Sequence, residues 1–386
     1  MFNKFLTDRL LKLLEKAPWG SITVTLPDGR RHDFKGTIAG LHADLEIRDW
    51  RVVSSLIKHG DIGFGQAYRD GWWESKDLFA LLRYGLENDE TLGAFANGNP
   101  LMALGTRLLY AFQKNTVKGS RKNIQAHYDL GNDFYKLWLD PTMTYSSALY
   151  KTQGEELAQA QLNKYDRIVD RLDRDSGSIL EIGCGWGGFA DRAAERGDFG
   201  IKGITLSDEQ HAYAQQRLDG RADIVIEDYR HQKNKFDHIV SIEMFEAVGE
   251  QYWPTYFGKV KDLLAEKGNA VVQTITIGEQ FFDNYRKGTD FIRSFIFPGG
   301  MLPSPTRFKE EAQKVGLQVT DSFSFGHDYS TTLLEWMETF DQKKSEVLNL
   351  GFDEGFIKIW RFYLAGCAAA FSSERTDVMQ IELRHA

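Results

Sequence analysis

Glu181, Gly183, Gly185, Gly187 and Gly188 stand in one run, Ser178-Ile-Leu-Glu-Ile-Gly-Cys-Gly-Trp-Gly-Gly-Phe189. Apolar Ile179, Leu180 and Ile182 lead into the glycines, and a helical pattern follows from Ala190. Glycines let the chain turn sharply and let a ligand approach the backbone. The run therefore reads as a nucleotide-type cofactor loop at the carboxyl end of a first parallel strand. Two cofactors fit it. Gly183-x-Gly185-x-x-Gly188 satisfies the dinucleotide fingerprint, with Asp208 downstream as the acid for a ribose. Glu181-x-Gly183-x-Gly185-x-Gly187 is instead the pattern of S-adenosylmethionine. A pyrophosphate would be repelled by Glu181, whereas a cationic ligand prefers an acid beside the turn. The residue types favour adenosylmethionine, with a dinucleotide and a ligand-free turn as the alternatives.

The elements that must position this loop follow from the alternation of patterns after residue 155. A helix is predicted over 155–174, and a first strand over 178–182 leads to a helix ending near 196. Further strands are predicted at Gly200–Leu206, Ala222–Ile226, Phe236–Ile242, Asn269–Ile275 and near Leu317–Phe323. Strands separated by helices at this spacing imply a doubly wound, mainly parallel sheet that binds ligands at its carboxyl edge. An insert over 278–305, rich in Phe, Tyr and Gly-Pro turns, lies where long loops usually carry function.

The N-terminal part has a different texture. Residues 2–17 form an amphipathic helix pattern with Phe2, Phe5, Leu6, Leu10, Leu13 and Leu14 on one face. Such a helix either lies on a membrane surface or covers a core. Strands Ser21–Leu26 and His32–Phe34 join at Pro27-Asp28-Gly29, a hairpin signal. Gly60-Asp-Ile-Gly-Phe-Gly65 and Asp70-Gly-Trp-Trp73 are turn-rich and aromatic. Residues 113–125 carry Lys114, Lys118, Arg121 and Lys122 and no acid. They read as a basic linker, either simply solvated or attracted to anionic lipid headgroups. The predicted organisation is a smaller α+β domain over 1–112, this linker, and a catalytic domain over 126–386.

The chain has 386 residues, a formal net charge of −8 and 42% hydrophobic residues. The negative charge argues against a general nucleic-acid binder. The two cysteines, Cys184 and Cys367, are far apart, as in a reducing compartment. No signal peptide and no membrane-spanning run is evident. No histidine pair has ligand spacing, so no metal is expected.

Several strings then meet in order: His127-Tyr-Asp-Leu-Gly-Asn-Asp-Phe-Tyr135, Met143-Thr-Tyr-Ser146, the glycine loop, Gly203-Ile-Thr-Leu-Ser207 with Gln210, Met244-Phe-Glu-Ala-Val-Gly249, Phe297-Pro-Gly-Gly-Met-Leu-Pro303 and Asp328-Tyr329. Together they closely resemble the cyclopropane-fatty-acyl-phospholipid synthase family, which includes the mycobacterial mycolic-acid methyltransferases. The resemblance is dense over 120–386 and weaker over the N-terminal domain, which looks like the family's lipid-carrier-like domain. It implies a Rossmann-like class I methyltransferase domain that acts, with adenosylmethionine, on double bonds of phospholipid acyl chains. Glu181, Gly183, Gly185 and Gly187 would then hold the methionine part and frame the ribose. Tyr145 and Ser146 would close over the cofactor. Thr205, Leu206 and Gln210 would lie at ribose and adenine, and Asp228 and Tyr229 at the adenine edge.

The implied chemistry is electrophilic methylation of an alkene, whose carbocation loses a proton. Loss from the new methyl closes a cyclopropane; other fates give a methylene or methyl branch. Phe245, Tyr285, Phe291, Phe295, Phe297 and Tyr329 are candidate aromatic faces for the cation. In the cyclopropane enzymes the base is a bound bicarbonate. By position Glu246, Tyr329 and the amide of Ile275 match its shell. Ser147 and Gln273 stand where the family has cysteine and histidine. Neither is cationic, so either a neutral shell holds bicarbonate or a carboxylate, Glu246 or another, is the base. The resemblance also implies a bilayer partner with unsaturated acyl chains and a cytoplasmic protein peripheral at the inner face of the membrane. It leaves room for a homodimer and for a reductase or desaturase partner. A non-catalytic lipid-binding homologue is the alternative of another class.

Overall fold

The computed structural model describes residues 2–96 and 130–386. The basic linker 113–125 and His127 lie outside the described residues. Backbone contacts divide the chain into two compact units. The first takes residues 2–96, Lys287–Pro298 and Phe340–Ser373. The second takes residues 130–286, Gly299–Thr339 and Glu374–Ala386. The expected single catalytic domain over 126–386 is thus interrupted twice by segments that group with the first unit. The reason is apolar packing. The helix Glu354–Ser372 buries Ile357, Trp360, Phe362 and Leu364 and packs on the helices Leu78–Glu87 and Arg51–Arg69.

The first unit holds a four-stranded sheet of β1 (Trp19–Thr25), β2 (Arg31–Lys35), β3 (Ile38–Ile47) and β4 (Trp73–Glu74), in the order β2-β1-β3-β4. β1 and β2 form the antiparallel pair expected around Pro27-Asp28-Gly29. The glycine- and tryptophan-rich strings build one aromatic core. Trp73 stacks on Phe64 with ring centroids 4.2 Å apart, and its Nε1 donates to the Phe64 carbonyl at 2.9 Å. Phe291 packs on Phe362 at 4.6 Å. Gly65 makes room for that pair: a Cβ there would stand 2.4 Å from the Phe291 ring. The helix Phe2–Leu14 buries Leu10, Leu11 and Leu14 and leaves Phe5 58% exposed.

The second unit holds a seven-stranded sheet in the order β10-β11-β9-β8-β5-β6-β7. Its strands are β5 (Ser176–Ile182), β6 (Asp198–Thr205), β7 (Asp223–Ile226), β8 (Phe236–Ile242), β9 (Leu264–Ile277), β10 (Leu317–Ser324) and β11 (Thr376–His385). β5 to β9 run parallel, and β11 lies antiparallel between β9 and β10. β11 had no counterpart among the predicted strands. It carries Gln380 and Glu382 among its apolar residues, and both are buried. The chain fills the sheet on one side of β5 with β6 and β7 and on the other with β8 and β9. The order reverses between β5 and β8, which puts the ligand crevice at their carboxyl ends.

Candidate active site

β5 ends on Ile182, and the glycine turn follows with left-handed φ values of 83° at Gly183 and 82° at Gly187. Gly187 caps the helix Gly188–Arg196. Glu181, the second-last residue of β5, is 2% exposed, and its Oε2 has no hydrogen-bond partner. Burial pushes its carboxyl up to about 8, although Lys164 and Arg217 pull it down. An enclosed acid with an orphaned oxygen fits a ligand that brings donors and positive charge, as the ammonium of adenosylmethionine would. At the end of β6, Thr205 Oγ1 donates to Gln210 Oε1 at 2.9 Å, and Ser207 caps the helix Asp208–Leu218. Leu206 lies half-buried between them. Asp228 has both carboxylate oxygens on Arg230, at 2.8 and 2.6 Å. Tyr229 packs edge-on against Tyr256 in the core.

The carboxyl end of β8 carries a second acid. Glu243, the residue just after the strand, has φ 49°, a conformation that costs a non-glycine residue about 1–2 kcal/mol. Three donors hold its carboxylate. The Ser147 backbone N–H and Gln273 Nε2 each donate to Oε1 at 2.8 Å, and the Tyr329 hydroxyl donates to Oε2 at 2.6 Å. Glu246, one turn on, accepts from the Ile275 N–H at 2.5 Å and from Thr274 Oγ1 at 3.0 Å, while its Oε2 has no partner. Met301, on the return leg of the 278–305 insert, donates its N–H to the Glu246 carbonyl at 2.8 Å.

The five residues expected to form one shell are therefore split between two glutamates. Ile275 reaches Glu246, whereas Ser147, Gln273 and Tyr329 reach Glu243. Ser147 acts through its backbone; its hydroxyl donates to the Ala148 carbonyl at 3.0 Å. The donors assigned to bicarbonate already serve a carboxylate of the chain itself. The residues present do not fit a separate bicarbonate in that shell.

The electrostatics follow from enclosure. Burial raises the Glu243 carboxyl above its ordinary value, against the pull of Tyr329, Lys164, Ser147 and Gln273. Burial, with the Glu243 charge beside it, pushes Glu246 up to about 8. Lys164 is fully buried, and its Nζ donates to Ser146 Oγ at 2.6 Å. Burial lowers it to about 7, opposed by Glu243, Asp140 and Glu181. This lysine thus stands in the field of both Glu181 and Glu243. Tyr145 packs on Trp336 at 5.5 Å, and Tyr329 packs on the same ring at 6.2 Å. The predicted cofactor cover and the carboxylate shell share one aromatic wall.

Other candidates serve packing. Phe245 is fully buried against Trp253, Tyr256, Phe257 and Phe308. Phe291 and Phe295 pack on each other in the first unit, and Phe297 packs on Tyr363. Sequence reasoning missed Glu243 and Lys164. Each had a signal. Glu243 follows an apolar strand directly. Lys164 lies with Gln161 and Asn163 among the buried residues of the helix Leu157–Asp170, where polar side chains are out of place unless they serve a site.

The chain matches the family model described as mycolic acid cyclopropane synthetase over residues 115–381. It is 37% identical over 344 residues to the tuberculostearic acid methyltransferase UfaA1 of Mycobacterium tuberculosis, covering 85% of this chain and 80% of that one. It is 35% identical over 350 residues to the cyclopropane-fatty-acyl-phospholipid synthase of Escherichia coli, covering 88% and 87%. Among solved structures it is similar to the mycolic acid cyclopropane synthase CmaA1 complexed with SAH and CTAB. The TM-score is 0.64 at 32% identity, over 68% of this chain and 97% of that one.

Proposed function

The chain belongs to the mycolic acid cyclopropane synthetase family of S-adenosylmethionine-dependent methyltransferases, and we propose that it methylates a double bond of an unsaturated acyl chain in a membrane phospholipid and closes a cyclopropane. The observation that carries this reading is the Glu243 carboxylate, held by three donors at the switch point of the sheet, next to the strand that carries Glu181.

Glu181 and the Gly183–Gly187 backbone hold the cofactor, with Thr205, Leu206 and Gln210 along its nucleoside side and Tyr145 and Ser146 over it. Bound there, adenosylmethionine supplies an electrophilic methyl group. An alkene is a weak nucleophile, so alignment in a dry site provides much of the rate. As the new carbon–carbon bond forms from the alkene pair, the sulfonium–methyl bond would break with its electron pair passing to sulfur, which leaves as the neutral thioether, and the neighbouring alkene carbon becomes a cation. Glu243 takes a proton from the new methyl, and the released C–H electron pair closes the ring. An acceptor facing a carbocation needs little basicity, but it must be ionised. Lys164 and the three donors favour the ionised form and oppose the burial that raises the carboxyl. Glu246, whose carboxyl burial and the Glu243 charge push up to about 8, is mostly protonated at neutral pH and leaves Glu243 as the charge facing the developing cation.

The substrate lies in a bilayer. Exposed Phe5, beside Lys4 and Arg9 on the first helix, supplies contact with an anionic lipid surface, and the protein acts from the inner face of the membrane. The test is mass spectrometry of acyl chains after incubation of the protein with monounsaturated phospholipid vesicles and methyl-deuterated adenosylmethionine. Gain of one carbon that retains two deuteriums, and that resists mild hydrogenation, is the expected result. Three retained deuteriums would replace the ring with a methyl branch. No label in any lipid would overturn the reading.

A further inference from the structure

Gln273 offers Glu243 a donor, yet its side chain has an N–H end and a C=O end of nearly the same shape. Which end faces the carboxylate decides whether the contact holds it or repels it. The structure fixes that choice from a distance. Gln273 on β9 and Gln380 on β11 are cross-strand partners, 0% and 1% exposed. Gln380 Nε2 donates to Gln273 Oε1 at 3.0 Å and to the Lys164 carbonyl at 3.3 Å. Gln380 Oε1 accepts from Arg167 Nη1 at 2.8 Å.

The ends of this chain cannot be reversed. A guanidinium only donates and a backbone carbonyl only accepts. Turning Gln380 over would set its NH2 against Arg167 and its oxygen against the Lys164 carbonyl, two repulsive contacts with little water to relieve them. Arg167 is itself held in place. It pairs with Asp321 at 3.0 Å and lies 4.2 Å over the Phe323 ring. With Gln380 fixed, Gln273 must accept through Oε1 and therefore donate through Nε2.

We propose that Arg167 and Gln380 are positioning residues that act through Gln273, locking its donor end onto Glu243 so that the acceptor of the reaction stays ionised and aimed. The proposal rests on the reading of Glu243 as that acceptor. Arg167 and Gln380 never touch the substrate. Hydrogen bonds in such a chain polarise one another, so the Arg167 charge also strengthens the last link.

The experiment is a double-mutant cycle read with monounsaturated phosphatidylglycerol vesicles. Gln380→Glu keeps the Arg167 contact but places an acceptor opposite Gln273 Oε1, which turns Gln273 over. The expected result is a fall in kcat of about tenfold or more, with KM for adenosylmethionine unchanged. The acid limb of the kcat profile moves to higher pH, because Glu243 loses a donor while still facing Lys164, Tyr329 and the largely protonated Glu246. In a Gln273→Met background the same Gln380→Glu change adds little. A full effect in that background, or no effect in the parent, overturns the relay. Should Gln380→Glu not fold, Arg167→Lys and Arg167→Met decide the matter. The lysine keeps a donor-only contact and the parent acid limb, the methionine does not, and equal behaviour of the two overturns the proposal. Glu243→Gln is run alongside as a control, and the infrared band of the Glu243 carboxyl, identified by its absence in Glu243→Gln, is followed in the ligand-free parent and in Gln380→Glu. Full turnover by Glu243→Gln would sink the reading of Glu243 itself. A dead Glu243→Gln with an unmoved carboxyl titration in Gln380→Glu would sink the relay alone.

Discussion

Two turns face each other across the middle of the second unit's sheet. β5 and β8 are parallel neighbours, with Ile182 opposite Ser241. Each strand ends in a residue with left-handed backbone, Gly183 at φ 83° after β5 and Glu243 at φ 49° after β8. The same conformation is met by a glycine in one turn and by a glutamate in the other. Gly183 suits its place because the neighbouring turn fills the space: a Cβ there would lie 2.9 Å from Met244 Cγ. Glu243 tolerates the strained backbone because three donors grip its carboxylate. Strain at such a position commonly marks function. One turn is shaped to let a ligand approach the backbone, and the other to bring a charge inside.

The sharpest break in this comparison is Glu243→Gln. It keeps the shape and removes the acceptor, so turnover should fall about 10²- to 10⁴-fold while adenosylmethionine binding by calorimetry is unchanged. In the parent enzyme turnover requires the ionised carboxylate. Because burial raises Glu243, activity should be lost on acidification at a higher pH than an ordinary carboxylate would give. Equal turnover at pH 5 and pH 8 would contradict this.

Glu181→Gln probes the other turn and should separate affinity from stability. Losing the charge weakens adenosylmethionine binding by about ten- to a hundredfold. The free protein responds in the opposite direction. Glu181 is pushed from 4.5 to about 8 in the folded chain, so the folded state holds its proton more tightly. Its contribution is fully present below pH 4.5 and is lost as pH rises through about 8. Glu181→Gln should therefore raise the melting temperature above pH 8 and change it little at pH 5.

The two backbone exchanges should have smaller effects of opposite sign. Gly183→Ala places a Cβ against Met244 in left-handed backbone and should cost about 1–2 kcal/mol in denaturant unfolding. Glu243→Gly relieves the strain and removes a buried charge. It should stabilise the fold by about 1 kcal/mol while abolishing turnover. A destabilised Glu243→Gly would mean that the three donors lose more than the backbone gains.

Most of the second unit's architecture was legible in the residues. The glycine turn, the alternation of strand and helix and the crevice at the carboxyl edge all come from local pattern. Glycine freedom and side-chain period act over a few residues and need no tertiary partner. β11 was not legible, because Gln380 and Glu382 break its apolar pattern and only the neighbouring strands make them acceptable inside. The excursion of 340–373 into the first unit was hidden for a related reason. An apolar helix face shows that it will be buried but not against what.

The sequence by itself determined a doubly wound, mainly parallel sheet with Glu181 just before the end of its first strand; the family resemblance added the class I methyltransferase and set Ser147, Gln273, Ile275 and Tyr329 with Glu246 around an expected bicarbonate. Only the tertiary structure decided which carboxylate each donor reaches. Ser147, Gln273 and Tyr329 lie 96, 30 and 86 positions from Glu243, and the order of strands in the sheet brings them together. Glu243 and Glu246 are three residues apart on a tight turn. Strand register and one left-handed residue send their side chains to different donors, and neither is written in the spacing of the residues.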